Sequence, residues 1–258
     1  MTNTNNQWVL ASDIDNTLTG DDAALTHLSA RLAKRRHNGG LTLLLSTGRR
    51  LNQVIDGVTE EGIPAPDAVI SQVGTEIYLP PLTYETEPLA EWDQHLHRKF
   101  NRDRALEFLK NIEGLEIQPE MYNTPLKVSC YLDKTPDPEK AAAEIRRRAA
   151  PEKDAYQVVW SSGRDLDIIP AAGGKGKAIQ FLVDYLQLQN QPVIVAGDSG
   201  NDSSMFDLFA RGIIVANAKP ELKAAEETRK SGEIFFASKS YAAGVEEGLI
   251  HFGVLDLA

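Results

Sequence analysis

Cysteine is almost absent from this chain. One residue of 258, Cys130, carries a thiol. No internal disulfide can therefore form, and a reducing cytoplasmic compartment is expected. Long apolar runs are missing as well. No stretch approaches the roughly 18 consecutive apolar residues of a membrane-spanning helix. The opening segment, Met1-Thr-Asn-Thr-Asn-Asn-Gln7, lacks the positive charge and apolar centre of a secretory leader. It is expected to form a short tail before the first strand. Excess positive charge is lacking too: 27 lysines and arginines face 37 aspartates and glutamates, a net charge of −10. That field disfavours nucleic acid and anionic membranes as partners. It leaves an anionic small molecule open, provided local cations overcome it. There is no internal repeat and no low-complexity tract. What remains is an ordinary globular composition, 42% hydrophobic and 25% charged. The length suffices for a core domain and a smaller companion.

Five apolar runs, at 8–12, 41–46, 68–71, 193–196 and 212–215, read as strands covered on both faces, as in a parallel sheet. Between them, apolar residues recur at helical spacing. Leu25, Leu28 and Leu32 form one such face, stopped by Gly39-Gly40; Ala178, Phe181, Leu182 and Tyr185 form a second, and Met205, Leu208 and Phe209 a third. Alternating strands and helices predict an α/β core, doubly wound and Rossmann-like, with a parallel sheet. Ligands of such sheets bind beyond the carboxyl ends of the strands.

The middle of the chain breaks this rhythm. Leu79-Pro-Pro-Leu82 marks a boundary. Beyond it, 104–112 and 138–149 read as helices, the second carrying Arg146-Arg-Arg148 where the helix dipole favours cations. The segments 126–132, 156–160 and 166–169 read as strands, the last two around the turn Ser161-Ser-Gly-Arg164. Cys130 falls in the first of these and is expected to be a buried structural thiol. The pattern predicts an α+β domain over 81–169, inserted into a core formed by 1–80 and 170–258.

Four segments at strand ends carry the chemistry. Asp13 and Asp15 follow the first strand, on the same side of an extended chain. Such a pair can hold a hard cation through oxygen, and one member can attack an electrophile; an Asx turn is the bland alternative. Ser46-Thr47-Gly48-Arg49 offers a hydroxyl and free backbone N–H groups after the second strand. Gly173-Gly-Lys175-Gly-Lys177 opens a helix with a lysine, a setting that favours anions, although it lacks the spacing of a Walker A loop. Gly197-Asp198-Ser-Gly-Asn201-Asp202 puts two more carboxylates after the fourth strand. In one parallel sheet, all four segments converge on one rim. His95 and His97 could form a metal pair but read as solvated surface residues.

This set of four motifs resembles the haloacid-dehalogenase superfamily of phosphatases. Ser12-Asp-Ile-Asp-Asn-Thr17, Gln72-Val-Gly-Thr-Glu-Ile-Tyr78, Lys127-Val-Ser129, Ser161-Ser-Gly-Arg-Asp-Leu-Asp167 and His251-Phe252 further resemble bacterial sucrose-phosphate phosphatases. Tyr131 and Arg164 depart from the pattern within otherwise similar segments. The resemblance covers nearly the whole chain and implies a cap of the C2 type. It implies Mg²⁺ held by Asp13, the backbone carbonyl of Asp15, Asp198 and Asp202. Asp13 would be the nucleophile, Asp15 the acid and base, and Thr47 and Lys175 the holders of the phosphoryl group, with Asn201 able to donate to it. Gly48 and Arg49 would line the phosphate site. Glu76, Lys127, Ser129, Ser162 and Arg164 are candidates for reading the sugar. The implied reaction is hydrolysis of sucrose-6-phosphate by a monomer, with a sucrose-phosphate synthase as a conceivable partner. Alternatives are a phosphatase for glucosylglycerol-phosphate or mannosylfructose-phosphate, a phosphomutase, or a non-catalytic sugar-phosphate-binding module.

Overall fold

A computed structural model describes residues 7–227 and 233–257. The expected N-terminal tail lies almost wholly outside the described residues. In chain order the strands are β1 (Trp8–Ser12), β2 (Leu41–Ser46), β3 (Ala68–Ser71), β4 (Glu76–Tyr78), β5 (Glu116–Ile117), β6 (Val128–Tyr131), β7 (Tyr156–Ser161), β8 (Asp165–Pro170), β9 (Val193–Gly197), β10 (Arg211–Ile214) and β11 (Glu233–Phe236). The helices are α1 (Asp22–His37), α2 (Leu51–Asp56), α3 (Ala90–Leu96), α4 (Arg102–Glu107), α5 (Pro138–Ala149), α6 (Lys175–Tyr185), α7 (Ser203–Leu208), α8 (Pro220–Glu227) and α9 (Tyr241–His251). None is long and apolar enough to cross a membrane.

Seven strands form the larger sheet, in the order β11-β10-β9-β1-β2-β3-β4, all parallel except β4. The apolar runs become its interior: Val9, Leu10, Ala11, Leu43, Leu44, Leu45, Ile194 and Val195 are fully buried, as expected of strands with helices on both faces. From β1 the chain winds outward through β2 and β3, then returns to β9 on the other side. The winding reverses between β1 and β9, where a doubly wound sheet opens a crevice at its carboxyl edge.

The second sheet, β5-β6-β8-β7, is antiparallel. Side chains alternate across it. Val128, Cys130, Leu166 and Ile168 face α4 and α5 and form a separate core with Phe108, Ala142 and Ile145. The odd-numbered neighbours Lys127, Tyr131, Asp165 and Asp167 face the opposite way, into the crevice. Period-two alternation thus gives this cap a dry side and a polar side. The β7–β8 hairpin turns through Ser162 and Gly163, with φ of 57° and 66°, the left-handed pair of a type I′ turn.

Two expectations change. The helix expected over 104–112 runs from Arg102 to Glu107. Asn101 caps it by accepting from the Arg104 N–H at 2.9 Å. Beyond it, Arg148 of α5 donates to the carbonyls of Phe108 and Lys110 at 3.0 and 2.6 Å, holding them out of a helical ladder. Residues after Pro81 also pack differently from the rest of the insertion. Leu82, Leu89, Trp92 and Leu96 join the hydrophobic cluster of the larger sheet. We propose the cap boundary near residue 101, where the second cluster begins.

Candidate active site

The rim is built from strand ends. Asp13 follows β1, its N–H donating to Ala196 O of β9 at 2.9 Å. This bond stitches the nucleophile candidate to the neighbouring strand across the switch point. Lys175 is the first residue of α6, after Gly174 at φ 98°. Gly74, at φ +88°, permits this approach, since a Cβ there would lie 2.3 Å from the Gly174 carbonyl carbon. The Lys175 ammonium is fully buried and donates to Asp13 Oδ1 and Asp202 Oδ1, both at 2.6 Å. Asp202 Oδ2 accepts the N–H groups of Asp198 and Ser199 at 2.9 and 3.0 Å, closing the β9 turn. Thr17 Oγ1 donates to Asp198 Oδ1 at 3.3 Å.

Asp13, Asp198 and Asp202 therefore form one buried group, with carboxylate oxygens within 4.8 Å of one another. Three carboxylates against one ammonium leave two surplus negative charges if all are ionised. Burial pushes the Asp13 carboxyl well above its ordinary range, Lys175 only partly offsetting it. Burial and then the Asp202 charge push Asp198 up to about 7. Burial works against the Lys175 ammonium, but Asp13 and Asp202 outweigh it and hold it above its usual value. Hard oxygen donors with a surplus of two charges fit a divalent cation such as Mg²⁺.

A cavity of about 330 Å³ lies between this cluster and the polar side of the cap. Asp13, Asp15, Gly48, Arg49 and Asp198 line it from below, with Lys127, Ser162, Arg164 and Asn201 among the other expected residues. Thr47 is fully buried beneath, its Oγ1 accepting the Arg49 N–H at 3.0 Å. Lys127 is 3% exposed and stands 3.6 Å from Asp167. Arg164 lies over the Tyr131 ring at 4.3 Å. Ser129 is wholly buried and donates to Asp167 Oδ1 at 2.5 Å, so it supports the cavity wall.

Like Ser129, Glu76 does not line the cavity. Its Oε2 accepts the hydroxyls of Ser71 and Tyr78 at 3.0 and 2.9 Å, which fastens edge strand β4 to β3. The Asp15 carboxylate stays outside the buried group, half exposed and bound to Arg49. His95 stacks on Trp92 at 5.4 Å and His97 pairs with Asp93 at 3.2 Å, both far from a ligand-like cluster. The cavity also holds residues that sequence reasoning passed over, among them Gln53, Gln118, Tyr122 and Asp167. For Asp167 the signal was present: its alternation with Asp165 along β8 puts both carboxylates on one face.

The arrangement can hold a phosphate beside a carboxylate nucleophile, under a sugar-sized polar roof. Comparison with known proteins gives the family. Residues 6–253 match the family Sucrose-6F-phosphate phosphohydrolase. Mannosylfructose-phosphate phosphatase of Agrobacterium fabrum is 32% identical over 95% of this chain and 97% of its own. Sucrose-phosphatase 1 of Nicotiana tabacum is 30% identical over 95% of this chain, which spans 59% of that protein's length. Sucrose-phosphatase from Synechocystis sp. PCC6803, solved with sucrose and phosphate, is 33% identical with a TM-score of 0.85, over 96% of this chain and 98% of the other. The fold is that of solved haloacid-dehalogenase-type phosphatases, and the chain belongs to the sucrose-6F-phosphate phosphohydrolase family.

Proposed function

We propose that this phosphatase hydrolyses sucrose-6-phosphate to sucrose and phosphate through an aspartyl-phosphate on Asp13. The observation that carries the reading is the Lys175 ammonium, 2.6 Å from both Asp13 and Asp202 within a buried group of three carboxylates. Pure metal binding needs no such lysine, whereas phosphoryl transfer uses it to offset charge.

Asp13 attacks phosphorus, the bond from phosphorus to the sugar oxygen breaks, and Asp15 gives that oxygen a proton. Water then attacks the aspartyl-phosphate and yields its proton to Asp15, and Asp13 returns to a carboxylate as phosphate leaves. Lys175, Gly48 and Asn201 hold phosphoryl oxygens. The buried Thr47 hydroxyl turns from the Arg49 N–H to the phosphate when it binds. Asp13, Asp198, Asp202 and the backbone carbonyl of Asp15 hold Mg²⁺, which when bound neutralises the approach of an anionic nucleophile to an anionic phosphate. Lys127, Ser162, Arg164 and Asp167 read the sugar from the cap.

A second reading rests on the Agrobacterium relative, named for mannosylfructose-phosphate and matched along 97% of its length. Glucose and mannose differ in the configuration of one hydroxyl, and a site built to hydrogen-bond a hydroxyl can discriminate strongly. Phosphate release from sucrose-6-phosphate, mannosylfructose-phosphate, glucosylglycerol-phosphate and simple hexose phosphates, with Mg²⁺ and with chelator, separates these readings. Preference for sucrose-6-phosphate and loss of turnover under chelation are expected. Equal activity on all hexose phosphates would remove the disaccharide assignment, and no release from any of them would leave a binding module.

A further inference from the structure

We propose that Glu61 is a positioning residue for proton transfer to the leaving sugar oxygen, acting through Arg49 on Asp15. The proposal rests on the acid/base reading of Asp15 given above.

Every N–H of the Arg49 guanidinium is committed. Nε donates to both oxygens of Asp15 at 3.1 Å. Nη2 donates to Asp15 Oδ1 at 2.8 Å and to Glu61 Oε2 at 2.9 Å. Nη1 donates to Glu61 Oε1 at 2.8 Å and to the Gln53 carbonyl at 3.4 Å. Arginine has five N–H donors in a rigid plane, and no donor is left to hold a phosphate. Arg49 therefore joins two carboxylates instead of serving as a substrate cation. An exposed ion pair contributes little by itself, but this side chain is only 15% exposed and is gripped as a fork from both sides.

The backbone is shaped around this chain of contacts. After α2 the chain widens into a turn of π-helix over Gly57–Glu61, closed by Gly62 at φ 77°. Such turns cost helical regularity and recur at functional sites. Here the extra residue per turn brings Glu61 back to a guanidinium anchored twelve residues earlier. Gly57 leaves space for the guanidinium and for Ile63, because a Cβ there would stand 2.9 Å from Arg49 Nη1 and 2.6 Å from Ile63 Cδ1. The turn, the glycine and the saturated fork are three separate features that serve one placement, that of a half-exposed Asp15 carboxylate beside the cavity.

Without Glu61, one edge of the guanidinium loses its anchor and the plane that presents Asp15 can rotate. The step that suffers is protonation of a poor leaving group. A sugar alkoxide needs that proton as its bond to phosphorus breaks, whereas p-nitrophenolate leaves without it. Since kcat/KM reports events up to leaving-group departure, the ratio of kcat/KM for sucrose-6-phosphate to kcat/KM for p-nitrophenyl phosphate isolates the effect. For Glu61→Gln this ratio is expected to fall about tenfold, a fraction of the full worth of general acid catalysis. A fall of less than threefold overturns the proposal, whether or not both activities decline. Arg49→Lys, which cannot span both carboxylates, is measured in parallel with the same expectation and serves if Glu61→Gln does not fold. If the parent protein releases phosphate from neither substrate, the phosphatase reading itself has failed, an outcome distinct from an unchanged ratio.

Discussion

Lys175 has no exposed surface and two carboxylates at 2.6 Å, so its removal leaves buried charge unpaired. Lys175→Met is expected to abolish phosphate release and to cost about 3 kcal/mol in urea unfolding without added cation, as for other broken buried pairs. Unchanged stability would show that a proton on Asp13, whose carboxyl burial already pushes up, compensates fully. Asp13→Asn keeps the shape and removes the nucleophile, so phosphate release should vanish even with Mg²⁺; retained turnover would sink the assignment. Asp198 supplies a pH dependence. Its carboxyl, pushed up to about 7 by burial and Asp202, holds a proton in the folded protein that the unfolded chain has released. The folded state thus binds more protons between about pH 4 and about pH 7, and this site's contribution to stability falls as pH rises through that window. A divalent cation held by this group would take the proton's place. The increase in Tm on adding Mg²⁺ should therefore grow from about pH 5 to about pH 8, read by scanning fluorimetry. A shift of constant size across that range would mean that proton and cation do not share the site.

Among the elements, α6 bears most directly on function because its first residue is the buried lysine. It lies tightly on α7: a Cβ at Gly176 would stand 2.0 Å from the Ser204 carbonyl oxygen. Gly176→Ala should push the two helices apart, destabilise by about 2 kcal/mol as overpacking does, and lower phosphate release by displacing Lys175. Activity equal to the parent would mean that α6 shifts without carrying its terminus along. The central strands were legible from sequence because both faces are covered, which turns β1, β2, β3 and β9 into unbroken apolar runs. Edge strands leave no such mark. Three-residue β4 and partly exposed β11 present no apolar run of that kind, since their burial is decided by neighbours distant in sequence. Trp92 and Leu96 of α3 fall within the segment expected to be the inserted domain, yet they pack in the cluster of the larger sheet. Within the site, three of the motifs follow β1, β2 and β9 of the larger sheet, whose topology makes them converge. Lys175 instead comes in from the N-terminus of α6 after β8 of the second sheet, not from a strand end of the parallel sheet as the sequence suggested. Glu61 was not legible, because no sequence pattern signals a π-turn that returns a side chain to Arg49.

At the scale of the whole molecule, the described residues form two main hydrophobic clusters, one for the parallel sheet and one for the cap. A small third cluster of Val73, Val159 and Ile169 joins them. Phe100 packs against both large clusters, Leu126 of the cap belongs to the larger one, and a Cβ on Gly200 would stand 2.5 Å from the Trp160 carbonyl oxygen of β7. Separate cores are expected to open separately. The lone thiol lies in only one of them. Cys130 is fully buried in the cap core, its thiol pushed up by burial and then by the charge of Asp167. Native protein should react slowly with a thiol reagent, and in rising urea the labelling midpoint should precede the loss of fluorescence from Trp8 and Trp92 in the larger core. Coincident midpoints would mean a single cooperative unit. If they separate, the molecule carries its own gauge of how often the roof over its catalytic floor comes apart. One covalent mark per chain would register each opening that reaches the cap interior, and a bound sugar phosphate that holds the roof together would be read out as a slower accumulation of that mark.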